Sequence, residues 1–416
     1  MSAINHFRQL SSRQFNTFTA SFLGWTLDSF DYFLLIFCIP AIAAEFNVRK
    51  SEVMTAVLLT QLLRPVGALL FGWLADRYGR KPVLMFNILT FSAIEIASAY
   101  APSLHSFLWL RACFGIAMGG IWGVGAALVF ETLPTEGRGT FSGILQEGYA
   151  VGQIFAAGIF GWLFTTLHWR GLFLFGAAPL LLIPYIAVFV GESPLWLSGI
   201  QSRAEWRKVP FTLPNLLRKF HYMLSFAPTF LFLILLMTLF MSFSHGTQDV
   251  YPTFLQSEVK FSPALVGRIG ILYGFGSILG GFVFGSLSEK WGRKRAIFTA
   301  ALLDIPVIPL YAYGHSVWAI ALGSFLTFFM VQGAWGVIPA YLTELTPAPM
   351  RATAPGLAYQ IGGLITAWNV VIQARAAEHF GSYRGVLAVT VTVVAIALAI
   401  VILFGRESKG TELLAE

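Results

Sequence analysis

Gly72-Trp73-Leu74-Ala75-Asp76-Arg77-Tyr78-Gly79-Arg80-Lys81 closes a long apolar run. It returns at an offset of 213 positions as Gly285-Ser286-Leu287-Ser288-Glu289-Lys290-Trp291-Gly292-Arg293-Lys294. The same offset, without a gap, relates Trp122 to Trp335, Glu131 to Glu344, Pro134 to Pro347, Arg138 to Arg351 and Gly143 to Gly356. The chain is therefore a tandem repeat, and an internal repeat in so apolar a sequence is the usual signature of a secondary transporter. The expected units are an N-terminal bundle (1–190), a cytoplasmic linker (191–225) and a C-terminal bundle (226–416).

Composition points the same way. The chain is 56% hydrophobic and 11% charged, against about 25% charged in soluble domains. Too few polar groups are present to cover a globular surface, so the bilayer is the expected solvent. The net charge of +7 is scattered over short loops, which fits topogenic Lys and Arg better than nucleic-acid binding. Cys38 and Cys113, both in apolar runs, are expected to be free thiols, and no signal peptide is legible.

A spanning helix needs about 20 mostly apolar residues. Twelve such runs can be placed, at 17–40, 53–75, 82–101, 106–130, 141–166, 171–190, 226–253, 264–287, 294–313, 317–342, 354–378 and 384–404. The expected fold is an all-α membrane protein with twelve transmembrane helices in two pseudo-symmetric six-helix bundles. With both termini placed in the cytoplasm, 18 Lys and Arg fall inside and 6 outside. That bias sets the expected orientation and puts both copies of the motif on the cytoplasmic side.

At each motif, Gly72 or Gly285 is expected to let two helices approach closely. Asp76 or Glu289, at a helix end, is expected to accept from backbone N–H groups of a neighbouring helix and to pair with a nearby arginine, and Arg80 and Arg293 are counted in the same gate. Glu131 with Arg138, and Glu344 with Arg351, read as a second part of the same cytoplasmic gate. The plainer alternatives are cations that only fix topology and exposed loop pairs worth under about 1 kcal/mol.

Ionisable residues at membrane depth are costly, and so are functional candidates. The first run carries Asp28, Asp31 and Tyr32 on one face, and the second carries Arg64. The seventh carries His245, Gln248 and Asp249 at i, i+3 and i+4, hence on one face. Arg111, Glu45, Arg375 and Glu378 read as charges near helix ends that snorkel to water. Glu95 and Asp304 read as structural. No nucleophile–base pair, metal-ligand spacing or phosphate loop stands out, so an enzyme, a metal or another cofactor is not expected.

The duplicated motif in two six-run halves resembles the major facilitator superfamily over nearly the whole chain. Within the seventh run, Ser244-His245-Gly246-Thr247-Gln248-Asp249-Val250-Tyr251-Pro252-Thr253 is similar to the signature of Jen-type lactate/pyruvate permeases of the sialate:proton symporter family. Gly24-Trp25-Thr26-Leu27-Asp28-Ser29-Phe30-Asp31 and Gln360 also match that family. Met241 and Gly363 stand where it carries asparagines. The resemblance implies a proton-coupled symporter of small monocarboxylates (lactate, pyruvate, acetate) working by alternating access. Arg64, Gln248 and Gln360 would hold the carboxylate, with Tyr32, Trp122, Trp335 and Phe30 as an aromatic wall. His245 and Asp249 would carry the proton, with Asp28 and Asp31 as a second titrating pair. The expected partners are the small carboxylate and the lipid bilayer. The expected state is a monomer in a plasma membrane, taken to be a bacterial inner membrane. Uptake of sialic or aromatic acid, and a proton antiporter exporting metabolites or drugs, are the alternatives.

Overall fold

The computed structural model describes residues 8–133, 138–198, 226–346 and 354–409. The first half holds α1 (Ser12–Phe46), α2 (Lys50–Tyr78), α3 (Arg80–Ala99), α4 (Leu104–Thr132) and α5 (Arg138–Phe173). A 3-10 stretch, Leu174–Leu181, then leads into α6 (Leu182–Phe189), and a short helix, Pro194–Ser198, follows. The second half holds α7 (Ala227–Gln248, resuming as Tyr251–Ser257) and α8 (Pro263–Trp291). Then come α9 (Arg293–Asp304, resuming as Ile308–Tyr313) and α10 (Val317–Trp335, resuming as Ile338–Leu345). The last two are α11 (Ala354–Thr366, resuming as Asn369–Phe380) and α12 (Tyr383–Phe404). Most of the expected linker, residues 199–225, lies outside the described residues.

Among the described residues, 10 helical stretches are long and apolar enough to cross a bilayer. One of them, Gly143–Phe189, runs for 47 residues, about twice the length a crossing needs. It turns at His168, where φ is 52°, and so contains two crossings. The two pieces of α11 are each too short alone and together make one more. Exposed apolar side chains such as Leu69, Trp162, Phe282 and Trp318 face outward, as lipid contact requires. Helices satisfy their own backbone polar groups, which is why an all-helical chain can tolerate that surroundings.

Glycines set the packing inside each half. A Cβ on Gly67 of α2 would overlap the carbonyl of Ile116 on α4, and one on Gly280 of α8 would overlap the carbonyl of Phe329 on α10. Both glycines and both carbonyls obey the 213-residue offset, so the two halves use the same helix crossing. The expectation that Gly72 and Gly285 create the close approach is corrected here. A Cβ on Gly72 would meet nothing within 4 Å, and one on Gly285 would make an ordinary 3.4 Å contact with the Gly336 carbonyl. The axes have diverged by the time they reach the motif. What the motif does require is its second glycine. Gly79 and Gly292 have φ of 107° and 97°, in a region that side chains disfavour. Each turns the chain directly from one helix into the next.

The halves meet along α2 with α11 and α5 with α8, where Gly161 and Gly267 leave backbone against backbone. The tail of α7 also touches α1, the Gln256 amide donating to the Phe37 carbonyl at 3.0 Å. Adding one methyl at a filled crossing forces strain of about 1–3 kcal/mol. Gly67→Ala and Gly280→Ala are therefore expected to lower the unfolding temperature in detergent, whereas Gly72→Ala should leave it unchanged or raise it. Equal effects at all three positions would contradict this packing.

Candidate functional site

The i, i+4 spacing on α7 brings His245 and Asp249 together, with His245 Nδ1 3.0 Å from Asp249 Oδ2. Tyr32 of α1 donates its hydroxyl to the same carboxylate at 3.1 Å and lies 3.3 Å from His245 Nδ1. Tyr32 and His245 are equivalent positions of the two repeats, so the halves touch across their pseudo-twofold axis. On α2, Arg64 donates to Gln61 Oε1 at 2.9 Å, and Gln61 Nε2 lies 2.9 Å from His245 Nε2. Gln248 donates to the Tyr149 hydroxyl of α5 at 3.0 Å. All of these α2 and α7 side chains are buried.

Two small hollows adjoin this network, of about 30 Å³ and about 10 Å³. They share Arg64, Met241, His245 and Tyr359. The larger is also bordered by Trp25, Tyr149 and Trp335, the smaller by Gln61, Gln360 and Gly363. Together they have room for a few water molecules. The structure thus gathers Arg64, Tyr32, Gln248, Gln360, Trp335, His245 and Asp249 at one place. Trp122 reaches it indirectly, stacking on Tyr359 with ring centroids 6.1 Å apart and planes 5° from parallel. The indole N–H groups of Trp25 and Trp335 are buried and have no acceptor among the described residues.

Asp28 and Asp31 make no hydrogen bond to this cluster, although the Asp28 carboxyl lies within electrostatic reach of Arg64. Both are fully buried on α1, with no hydrogen-bond partner for their carboxylates among the described residues. Asp31 faces into the first half, where a Cβ on Gly176 would lie 3.2 Å from its Oδ1 and would overlap Glu95. Arg111, expected to snorkel, is instead fully buried and hydrogen-bonds Glu95 and, at 2.7 Å, the Ser98 hydroxyl. A cation this deep is tolerable only because a carboxylate from α3 meets it.

Both motif copies build the same charge cluster. Arg80 pairs with Asp76 at 2.5 Å and with Glu131 at 3.0 Å. Arg293 pairs with Glu289 at 2.6 Å and Glu344 at 2.9 Å. Glu131 and Glu344 thus pair with Arg80 and Arg293, and the expected pairings with Arg138 and Arg351 fall outside the described residues. The backbone N–H groups that start α3 and α9 do not go to Asp76 and Glu289, because those carboxylates are turned toward arginine. They go to two carboxylates absent from the sequence reading. Glu192 accepts from Arg80 N at 3.0 Å and Lys81 N at 3.2 Å. Glu407 accepts from Arg293 N at 2.9 Å and Lys294 N at 3.2 Å. Partial burial opposes the Glu407 charge, but backbone N–H donors from Lys409, Arg293, Lys294 and Ser408 outweigh it and hold the carboxyl below its ordinary range. The available signal was a second repeat, Glu192-Ser193 and Glu407-Ser408, each following the last span of its half.

A larger hollow, about 580 Å³, lies away from this chemistry, over Asn47, Lys50, Glu258 and Glu378. Beside it Glu378 of α11 accepts from Ser51 N at 2.9 Å and Ser51 Oγ at 2.7 Å. Glu378, expected to snorkel, caps α2 of the other half and so ties the halves at the end remote from the motif clusters.

Known proteins share this architecture. The Major Facilitator Superfamily matches residues 21–251 and 234–415. A carboxylic acid transporter protein homolog of Saccharomyces cerevisiae is 27% identical over 91% of the chain, which spans 64% of that relative's length. A cis,cis-muconate transport protein of Acinetobacter baylyi is 29% identical over 83% of this chain and 84% of its own. A sialic acid transporter of Escherichia coli is 24% identical over 92% and 93%. The xylose transporter XylE of Escherichia coli, in a partially occluded inward-open conformation, superposes with a TM-score of 0.76 at 19% identity. That likeness covers 97% of this chain and 100% of that one. The repeated halves, their shared helix crossing and these matches together place the chain, an integral membrane protein, in the Major Facilitator Superfamily of transporters.

Proposed function

We propose that this protein is a proton-coupled symporter of small monocarboxylates such as lactate, pyruvate or acetate. It would work by alternating access as a monomer in a bacterial inner membrane, with both termini cytoplasmic. The observation that carries this reading is the charge balance of the buried network. Arg64 is joined to Asp249 only through Gln61 and His245, and the Asp28 carboxyl lies within electrostatic reach of Arg64. An entering carboxylate would add an uncompensated negative charge at low dielectric, which is prohibitive unless a cation enters with it. His245, between the two, is the group suited to take that cation as a proton. Arg64 offers a donor fork for the carboxylate, and the unpaired indole N–H groups of Trp25 and Trp335 are further donors beside it. The names of the relatives, transporters of carboxylic, muconic and sialic acids, support the same chemical class. The small hollows favour an acid of a few carbons over a sugar acid. The Asp76–Arg80–Glu131 and Glu289–Arg293–Glu344 clusters would form and loosen as the halves rock, and the Glu378–Ser51 tie would close the opposite face. Asp28 and Asp31 would titrate as a separate pair within the first half.

A second reading keeps the fold and takes a planar aromatic or unsaturated acid. The observation in its favour is the aromatic lining of Trp25, Tyr149, Trp335 and Tyr359 around Arg64.

Uptake of labelled lactate into proteoliposomes, with and without an inward proton gradient, tests the proposal. Gradient-dependent accumulation inhibited by pyruvate and acetate is expected. Inhibition by benzoate or muconate alone would favour the second reading, and uptake that falls with the gradient would indicate an antiporter. Arg64→Gln should raise the KM about tenfold or more, since a hydrogen bond to a charged group is worth about 1.5–3 kcal/mol; an unchanged KM would remove Arg64 from the site. Asp249→Asn should abolish accumulation against a gradient while the protein still inserts and elutes as a folded species. Normal accumulation would show that the proton is held elsewhere.

A further inference from the structure

Gln61 connects Arg64 to His245, and the polarity of its amide is dictated. A guanidinium only donates, so the Gln61 oxygen must face Arg64, as it does at 2.9 Å. The Gln61 NH2 must then face His245 Nε2, 2.9 Å away. Nε2 is therefore an acceptor, and the ring proton sits on Nδ1, against Asp249 at 3.0 Å. One donor-only group thus fixes the tautomer of a histidine two hydrogen bonds away. Among the described residues Gln61 is also the one hydrogen-bond partner of the Arg64 side chain.

We propose that Gln61 is a two-position amide switch that couples the proton to the carboxylate. This inference rests on the carboxylate-symport reading. A proton taken from solution onto His245 Nε2 turns that atom into a donor facing the Gln61 NH2. The amide rotates by half a turn, its oxygen now accepting from His245 Nε2–H. Its NH2 then faces Arg64, donor against donor, and Arg64 is released to bind the substrate carboxylate. In reverse, a carboxylate on Arg64 frees the Gln61 oxygen and so favours the protonated histidine. Each ligand promotes the other, as linkage requires. The net charge of the site is the same before and after, one proton entering with one carboxylate. The titratable and charged groups facing His245 are Tyr32 on α1, Arg64 on α2, Tyr149 on α5, Asp249 on α7 and Tyr359 on α11. Among the described residues, Arg64 alone of these groups hydrogen-bonds Gln61, so the amide is the specific link between the histidine and the arginine.

Gln61→Met keeps the volume of the side chain and removes both amide functions. In the wild-type protein the KM for lactate should fall about tenfold as the pH drops from about 8 to about 5, a coupling within the usual range of 5–150-fold. Lactate added to the purified protein in weakly buffered detergent solution should draw protons from the medium. In Gln61→Met the KM should be low at both pH values, because Arg64 is always free, and lactate should draw no protons. Coupling carried through space by charge alone would survive this substitution. Proton uptake persisting in Gln61→Met would overturn the switch and leave the carboxylate-symport reading standing, whereas wild-type protein that binds lactate without proton uptake would overturn the switch together with the proton coupling on which it rests. Absence of lactate, pyruvate and acetate binding by the wild-type protein would overturn the reading and the switch together. Gln61→Leu, which likewise lacks both amide functions, carries the same expectation should Gln61→Met not fold.

Discussion

A positive and a negative charge buried at the seam between two helical bundles constrain everything else in this molecule. Arg64 belongs to the first half and Asp249 to the second, and the hydrogen-bond chain between them, through Gln61 and His245, crosses from one bundle to the other. Gln61, His245 and Tyr32 fill the space between them with hydrogen bonds whose directions follow from the guanidinium at one end. In low dielectric such a chain is rigid when every donor meets an acceptor and costly when one does not. That makes it sensitive to a single proton or a single anion, which is the property a coupled transporter needs.

The pseudo-symmetry divides scaffold from site. Where the repeats are alike, they build the same backbone geometry: Gly67 and Gly280 against equivalent carbonyls, Gly79 and Gly292 at equivalent turns, Arg80 and Arg293 in equivalent charge clusters. Where they differ, they build the chemistry. The counterpart of His245 is Tyr32, that of Arg64 is Ser277 and that of Gln61 is Gly274. A symmetric site would have placed two cations or two acids together, so duplication could supply the frame but divergence had to supply the network.

The charge clusters at the motif ends show how local rules limit what a motif can reveal. Each cluster gathers carboxylates from three separate segments of its own half onto one arginine and one helix start. Glu192 and Glu407 accept from the backbone N–H groups of a helix N-terminus, an arrangement that stabilises a negative charge. For Glu407, whose carboxyl lies below its ordinary range, the resulting stability is present at neutral pH and is lost as the pH falls through that lowered value.

The sequence by itself determined the membrane class, the two-fold repeat, the expected spans and the α7 pair His245–Asp249. Each of these depends on composition, on a constant offset or on one helical turn, all of which are local or periodic quantities. It also singled out Arg64, because a cation in an apolar run is conspicuous. It could not find Gln61, whose amide is unremarkable until Arg64 and His245 stand on either side of it, nor Glu192 and Glu407, whose partners lie over a hundred residues away. It misjudged Gly72 and Arg111 for one reason: close approach and burial depend on which helix lies opposite. Those pairings are long-range, and only the tertiary structure decided them.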